Sequence, residues 1–223
     1  EFCYGGAPGL ADVYLVPQVE SARRFKVDMA RWPIISAIDA ACGRLEATWE
    51  VLRTVRELDL PDWMVFSGAV YQPVWNHLTG RAPDYGIKDY DVAYHDDSDT
   101  SYEAEDVVIK RVAAAFEPPL RELVEVRNQA RVHLWFNKKF GADEPYPPLE
   151  NSAAALKRFV ATAFCVGVRL EADDRLSVWA PFGLEDLFAL RLRPNPLRIK
   201  GAGGWERTTA SAKARWPEIS IEP

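Results

Sequence analysis

Asp89 and Asp91 stand two residues apart in the run Ile87-Lys88-Asp89-Tyr90-Asp91-Val92-Ala93-Tyr94, and that spacing carries the strongest chemical signal in the chain. Ile, Val and Tyr favour a strand, and strand side chains repeat with period two. Residues 87–94 are therefore expected to form a strand that sends both carboxylates out of one face. Like charges held so close repel, and a hard divalent cation bound by oxygen donors relieves that repulsion. A solvated strand face also carries acidic pairs, so the pair alone does not decide. Upstream, the apolar run ending at Phe66 breaks at Ser67-Gly68 before a helical stretch. The first N–H groups of a helix attract anions, and glycine lets the backbone approach a phosphate without a Cβ in the way. Ser67 has a plainer reading as a helix N-cap. A strand, a Ser-Gly turn, a helix and an Asp-x-Asp strand together favour the metal site over the solvated face.

A third carboxylate is available. In Leu123-Val124-Glu125-Val126-Arg127 the valines alternate with Glu125, and an acid within an apolar strand needs a cation or a donor. If this strand lies beside the first, Glu125 completes a cradle of three carboxylates for Mg²⁺ or Mn²⁺. Asp186 is the alternative third ligand, and an ion pair of Glu125 with Arg127 or Arg131 is the structural alternative. Cations held by Asp89, Asp91 and Glu125 would clamp a triphosphate and activate a hydroxyl for in-line attack at its α-phosphorus. Ser67, Gly68, Lys88 and Arg131 are the expected nucleotide contacts, Arg131 as a guanidinium fork for phosphate. His133 reads equally as an acid or base and as a structural histidine. Trp75 and Trp135 read first as core residues and second as base-stacking ones. The run His95-Asp96-Asp97-Ser98-Asp99 reads as a solvated loop.

The elements that must position these groups are legible from periodicity. Glu50–Leu58 is expected as an amphipathic helix, Trp63–Phe66 as a strand and Ala69–His77 as a helix. Tyr102–Phe116 reads as a helix whose buried stripe is Val107, Val108, Val112, Ala115 and Phe116. Leu123–Arg127 is a strand, Asn128–Phe140 a helix ended by Gly141, and Ser152–Cys165 a helix. Val166–Glu171 and Leu176–Trp179 read as strands, Leu184–Phe188 as helix or strand, and the remaining C-terminal residues as irregular. Helices alternating with three or more strands indicate an α/β sandwich.

Composition narrows the function classes. With 48% hydrophobic residues among 223, the chain can bury a substantial core. Its net charge of −6 argues against bulk attraction to nucleic acid or to an anionic membrane. Between Arg191 and Arg215, however, seven basic residues face Glu206 alone; such a tail suits phosphate as well as it suits solvent. Cys3, Cys42 and Cys165 lack disulfide or zinc spacing and fit a reducing compartment. No apolar run reaches a membrane span and no signal peptide opens the chain, so the expectation is a cytoplasmic protein.

The first residues differ in character from the rest. Phe2-Cys3-Tyr4-Gly5, Pro8-Gly9-Leu10-Ala11-Asp12-Val13-Tyr14-Leu15-Val16-Pro17-Gln18-Val19 and Trp32-Pro33-Ile34-Ile35 resemble the C-terminal helices of zeta-class glutathione transferases, the maleylacetoacetate isomerase group. The resemblance implies a short all-helical appendage over residues 1–47. The family's Ser-Ser-Cys-type thiol-binding half has no counterpart here, so no isomerisation is expected from it.

Residues 48–223 form the second expected domain. Ser67-Gly68-Ala69-Val70, Gly86-Ile87-Lys88-Asp89-Tyr90-Asp91 and Asn128-Gln129-Ala130-Arg131-Val132-His133-Leu134-Trp135 resemble a bacterial family of nucleotidyltransferase-like proteins. So do Ala180-Pro181-Phe182-Gly183, Arg193-Pro194-Asn195 and Arg215-Trp216-Pro217. The family lies in the superfamily of DNA polymerase beta. The resemblance implies a mixed sheet flanked by helices, an NTP substrate and a divalent metal. The acceptor (small molecule, protein or RNA end) is left open. A nucleotide-binding module without turnover is the main alternative, and a glutathione-transferase relative the weaker one.

Overall fold

The computed structural model describes residues 46–200 and 204–222; the helices expected before Glu46 lie outside them. Strand β1 (Met64–Phe66) is the centre of a five-stranded sheet in the order β3-β2-β1-β4-β5. β2 (Tyr90–Tyr94) runs antiparallel to β1 on one side, and β4 (Gly167–Leu170) does so on the other. β3 (Val124–Asn128) pairs parallel with β2, and β5 (Leu176–Trp179) pairs antiparallel with β4. The architecture is the α/β mixed sheet flanked by helices that the sequence implies. Expected and observed strands agree closely, except that the ladder of β2 begins at Tyr90 rather than Ile87. Asp91 lies inside the strand; Asp89 lies in the segment leading into it.

Alternation assigns the two faces. Val65, Val92, Val126 and Val168 occupy one register row and pack beneath α1 (Glu46–Leu58), through Val51, Leu52 and Val55, and α3 (Tyr102–Ala114), through Val112. The stripe of α3 differs from the expected one. Val107 is 67% exposed, whereas Glu105 is 2% exposed. A pairing with Arg131 lets that carboxylate turn inward, which apolar periodicity alone does not reveal. The opposite face carries Met64, Phe66 and Ala93 against Val132 of α5 (Val132–Phe140) and Leu156 of α6 (Ser152–Leu156). α5 stops at Gly141, whose left-handed backbone (φ 64°) serves as its C-cap.

The helix expected over 152–165 is interrupted after Leu156. Asn195 Nδ2 donates to the carbonyls of Lys157 and Phe159, at 2.9 and 2.7 Å, and the Arg193 carbonyl accepts from Thr162 N at 3.1 Å. These distant partners take up backbone groups that a continuous helix would pair internally. A short 3₁₀ turn, Thr162–Phe164, takes the place of the last turns.

The C-terminal part is ordered rather than irregular. A small second sheet pairs β6 (Arg191–Leu192) in parallel with β7 (Ser220–Ile221). Between them runs α8 (Gly204–Arg215), whose buried residues are only Thr209 and Ala212, too faint a stripe for periodicity to register. Trp216, just past it, is fully buried against Trp75 of α2 (Gly68–Leu78), with Leu187 of α7 (Glu185–Phe188) and Leu192 in the same cluster. Among the described residues no helix is long and apolar enough to cross a membrane.

Candidate active site

Glu125, Asp91 and Phe66 face one another in successive strands: Asp91 pairs with Glu125 across the parallel β2–β3 ladder and with Phe66 across β1–β2. Residues in register share a face, and neighbouring strands lie about 4.8 Å apart. The two acids therefore project side by side, opposite the valine row that fills the core. Asp89 precedes them at the strand mouth. The third-carboxylate expectation for Glu125 rested on β3 lying beside β2, and it does.

Both aspartates are raised by burial and by neighbouring negative charge. Burial, then the charge of Asp89, pushes the Asp91 carboxyl up from 3.8 to about 6; Glu125 adds to the rise, while the Ser67 hydroxyl opposes it. Asp89 is raised by burial and by Glu125, with Lys88 opposing. Such a set of oxygen donors suits a hard divalent cation. The donors are nevertheless not drawn together: among the described residues, no three acidic, histidine or cysteine groups stand close enough to ligate one ion. Glu125 leans instead toward Arg127 Nη2 at 3.5 Å, with both side chains substantially exposed.

Beside the acids lies a pocket of about 200 Å³. Ser67 and Gly68 form its floor where β1 passes into α2. Ser67 has φ 67° and ψ −146°, a backbone region that glycine populates and other residues adopt only under constraint. Its carbonyl accepts from the N–H groups of Val70 and Tyr71 at 3.0 and 3.2 Å. Its hydroxyl makes no capping bond to α2 and is turned to Asp91. The plain N-cap reading of Ser67 is thus not what the geometry shows. Lys88 and Asp89 border the same pocket.

Other pocket residues carried no site expectation. Tyr71 and Gln72, one turn into α2, line it, as do Gly86 and Arg215. Gln72 lies four residues after Gly68, hence on the same helix face; a Cβ on Gly68 would sit 2.6 Å from its Nε2. Gly86 (φ +78°) brings the loop before β2 against the C-terminal helix, where a Cβ would meet Trp216 at 3.1 Å and Arg215 Nη1 at 3.2 Å. Asn76, fully buried, fastens the same loop. Its Nδ2 donates to the carbonyls of Pro83 and Tyr85 at 2.9 and 2.8 Å, and its Oδ1 accepts from Trp216 Nε1 at 2.9 Å. Both Gly86 and Arg215 stand in sequence strings that resemble the family, and i+4 spacing from Gly68 is the signal that marks Gln72.

Several candidates go elsewhere. Arg131 is not in the pocket: its guanidinium pairs with buried Glu105 and donates to the Thr100 carbonyl at 3.2 Å. The other Glu105 oxygen accepts from Asn128 N at 2.8 Å. The fork that suits phosphate is thereby occupied behind β3. Asp186, the alternative third ligand, is 4% exposed and accepts from Thr162 Oγ1, Arg191 Nε and Arg193 Nε at 2.6, 2.7 and 2.9 Å. Burial would raise its carboxyl, but these donors outweigh burial and hold it below the usual range. It ties the 3₁₀ turn to β6. Trp75 is a core residue, its Nε1 donating to the Leu187 carbonyl at 3.1 Å. Trp135 packs at the edge of the α5–α6 cluster. His133 does not line the pocket. The 95–99 loop folds on itself, Asp96 and Asp99 accepting from Ser98 and Ser101.

Comparison with known proteins adds a family, a fold and two relatives of a short segment. A family model described as Nucleotidyltransferase matches residues 53–221. A solved NMR structure described as revealing a CCA-adding enzyme head domain superposes with a TM-score of 0.62 at 24% identity, covering 77% of this chain and 87% of that one; at that identity the likeness shows the fold. Maleylpyruvate isomerase of Ralstonia sp is 63% identical over 46 residues, 21% of this chain and 22% of that protein. Maleylacetoacetate isomerase of Rhizobium meliloti is 50% identical over an equal length. The chain thus spans only about a fifth of these two curated relatives.

Proposed function

The chain belongs to this nucleotidyltransferase family, and from that premise we propose metal-dependent transfer of a nucleotidyl group from an NTP to a hydroxyl acceptor. The observation that carries the reading is the register of β2 with β3, which sets Asp91 beside Glu125 at the edge of a pocket floored by Ser67-Gly68. Asp89, Asp91 and Glu125 are the residues that would hold Mg²⁺ or Mn²⁺. A cation held there would supply charge neutralisation for the triphosphate and a lowered pKa for the attacking hydroxyl. Ser67 orients Asp91 by donating its hydroxyl hydrogen. The N–H groups that open α2, reached closely because Gly68 carries no Cβ, receive phosphate oxygens. Lys88 supplies a positive charge beside Asp89. Arg131 is left out of the phosphate contacts because its fork is held by Glu105.

Residues 1–47 are proposed as a helical appendage distinct from the transferase domain C-terminal to it. α1 begins at Glu46 and crosses that boundary, so a separation cut belongs before it.

The test is pyrophosphate release from each NTP with Mg²⁺ or Mn²⁺ over a panel of hydroxyl acceptors. Release is expected with at least one pair, and replacing both Asp89 and Asp91 by Asn is expected to abolish it. The Glu125–Arg127 contact favours a second reading, a nucleotide-binding module without turnover. NTP binding with no pyrophosphate across the whole panel would decide for that module.

A further inference from the structure

Two observations in the pocket are unexplained by its acids. Gln72 is only 6% exposed, yet its Oε1 has no hydrogen-bond partner among the described residues, and the side chain lines the pocket. A buried amide oxygen left unpaired costs roughly 1–3 kcal/mol, a cost the opposite amide orientation removes. Its other end meets the Tyr71 hydroxyl, which can donate as well as accept. Turning the amide over lets Tyr71 donate to Oε1 and directs the Nε2 hydrogens into the pocket. In that turned orientation the amide hydrogens are the end of Gln72 offered to a phosphate oxygen.

The second observation is Arg215. It reaches the pocket from the end of α8 and, among the described residues, has no carboxylate within ion-pair distance. Its Nη1 donates to the Gly86 carbonyl at 3.1 Å and its Nε to the Ser211 carbonyl at 3.3 Å. The guanidinium lies 4.6 Å from the ring centroid of buried Trp216. It is held in place with Nη2 uncommitted, a preorganised donor pair. Lys88, on the same pocket, also lacks an ion pair among the described residues. The held Arg215 guanidinium, the exposed Lys88 ammonium and the Gln72 amide hydrogens share the pocket with the opening turn of α2, and that combination recognises a phosphate chain.

We propose that Arg215 and Gln72 grip the terminal phosphates of the bound nucleotide, so that the C-terminal helix supplies the arginine of the site. The proposal rests on the nucleotidyl-transfer reading for its ligand but not for its test. Binding of inorganic tripolyphosphate, ATP and AMP to the full chain is measured by calorimetry in the presence of Mg²⁺. Arg215→Ala is expected to weaken tripolyphosphate and ATP binding about 10- to 100-fold while changing AMP binding far less. Arg215→Ala also loses the Gly86 contact, so Gln72→Glu is the second variant. It keeps the side-chain shape, lets Tyr71 donate to the new carboxylate, and places a negative charge against phosphate; a comparable loss is expected. Arg207→Ala, on an exposed position of the same helix, is expected to change nothing.

Wild-type binding that both pocket variants retain within twofold overturns the proposal, as does an equal loss in Arg207→Ala or no tripolyphosphate binding by the wild type. Arg215-dependent binding of tripolyphosphate without pyrophosphate release from any NTP would sustain the proposal and sink the transfer reading instead.

Discussion

Replacing Asp91 by Asn in metal-free protein is expected to stabilise the fold, the reverse of what removal of a buried polar contact ordinarily does. The carboxyl rises from 3.8 to about 6 because burial, Asp89 and Glu125 all disfavour its charge. Below the ordinary value both folded and unfolded chains carry the proton, and no penalty exists. Between about 4 and 6 the native protein holds a proton that the unfolded chain has released, so stability falls as pH rises. Above about 6 the full penalty applies. Two pKa units correspond to roughly 3 kcal/mol. Asn retains an acceptor for the Ser67 hydroxyl but adds an N–H pair with no assured partner, which costs about 1 kcal/mol or more. The net gain at pH 8 is therefore on the order of 1–2 kcal/mol, or a melting temperature about 2–8 °C higher. Thermal or urea denaturation in EDTA, across pH 4.5 to 8, reads both the gain and its pH dependence. The advantage of Asp91→Asn should shrink toward pH 4.5, and Mg²⁺ should stabilise the wild type more than the variant. A variant less stable than wild type at pH 8, or a difference that does not change with pH, would refute the account of Asp91 as a buried carboxylate crowded by like charge.

Two further substitutions probe the supporting residues. Ser67→Gly relieves a backbone conformation that costs about 1–3 kcal/mol for a non-glycine residue, partly offset by glycine's greater unfolded-state freedom. Denaturation should show a gain on the order of 1 kcal/mol, while NMR titration should show the Asp91 carboxyl rising further once its hydroxyl donor is gone. Arg131→Ala strands the Glu105 carboxylate in the interior. It should destabilise the fold by about 3–5 kcal/mol yet leave tripolyphosphate affinity intact in the folded protein. A variant of normal stability with weakened phosphate binding would return Arg131 to the pocket.

Periodicity and residue type settled what is local. Alternation in Val124-Glu125-Val126 and in Asp91-Val92 fixes which side chains leave the same face, since neighbours in a strand must diverge whatever surrounds them. The Ser-Gly break and the Gly141 stop reflect backbone freedom in the same way. Which strand lies beside which, and which helix end closes the pocket, belongs to tertiary structure. β3 aligns with β2 through a long crossover, and Arg215 meets Gly86 across 129 positions, through a helix whose buried face is too small to leave a period. Glu105 shows the same limit from inside the fold: 26 residues separate it from Arg131. Their pairing drew an acid into the core and a phosphate-suited arginine away from the site. Charges of opposite sign lower their energy by meeting wherever the packed chain brings them together, and one-dimensional spacing does not encode that meeting.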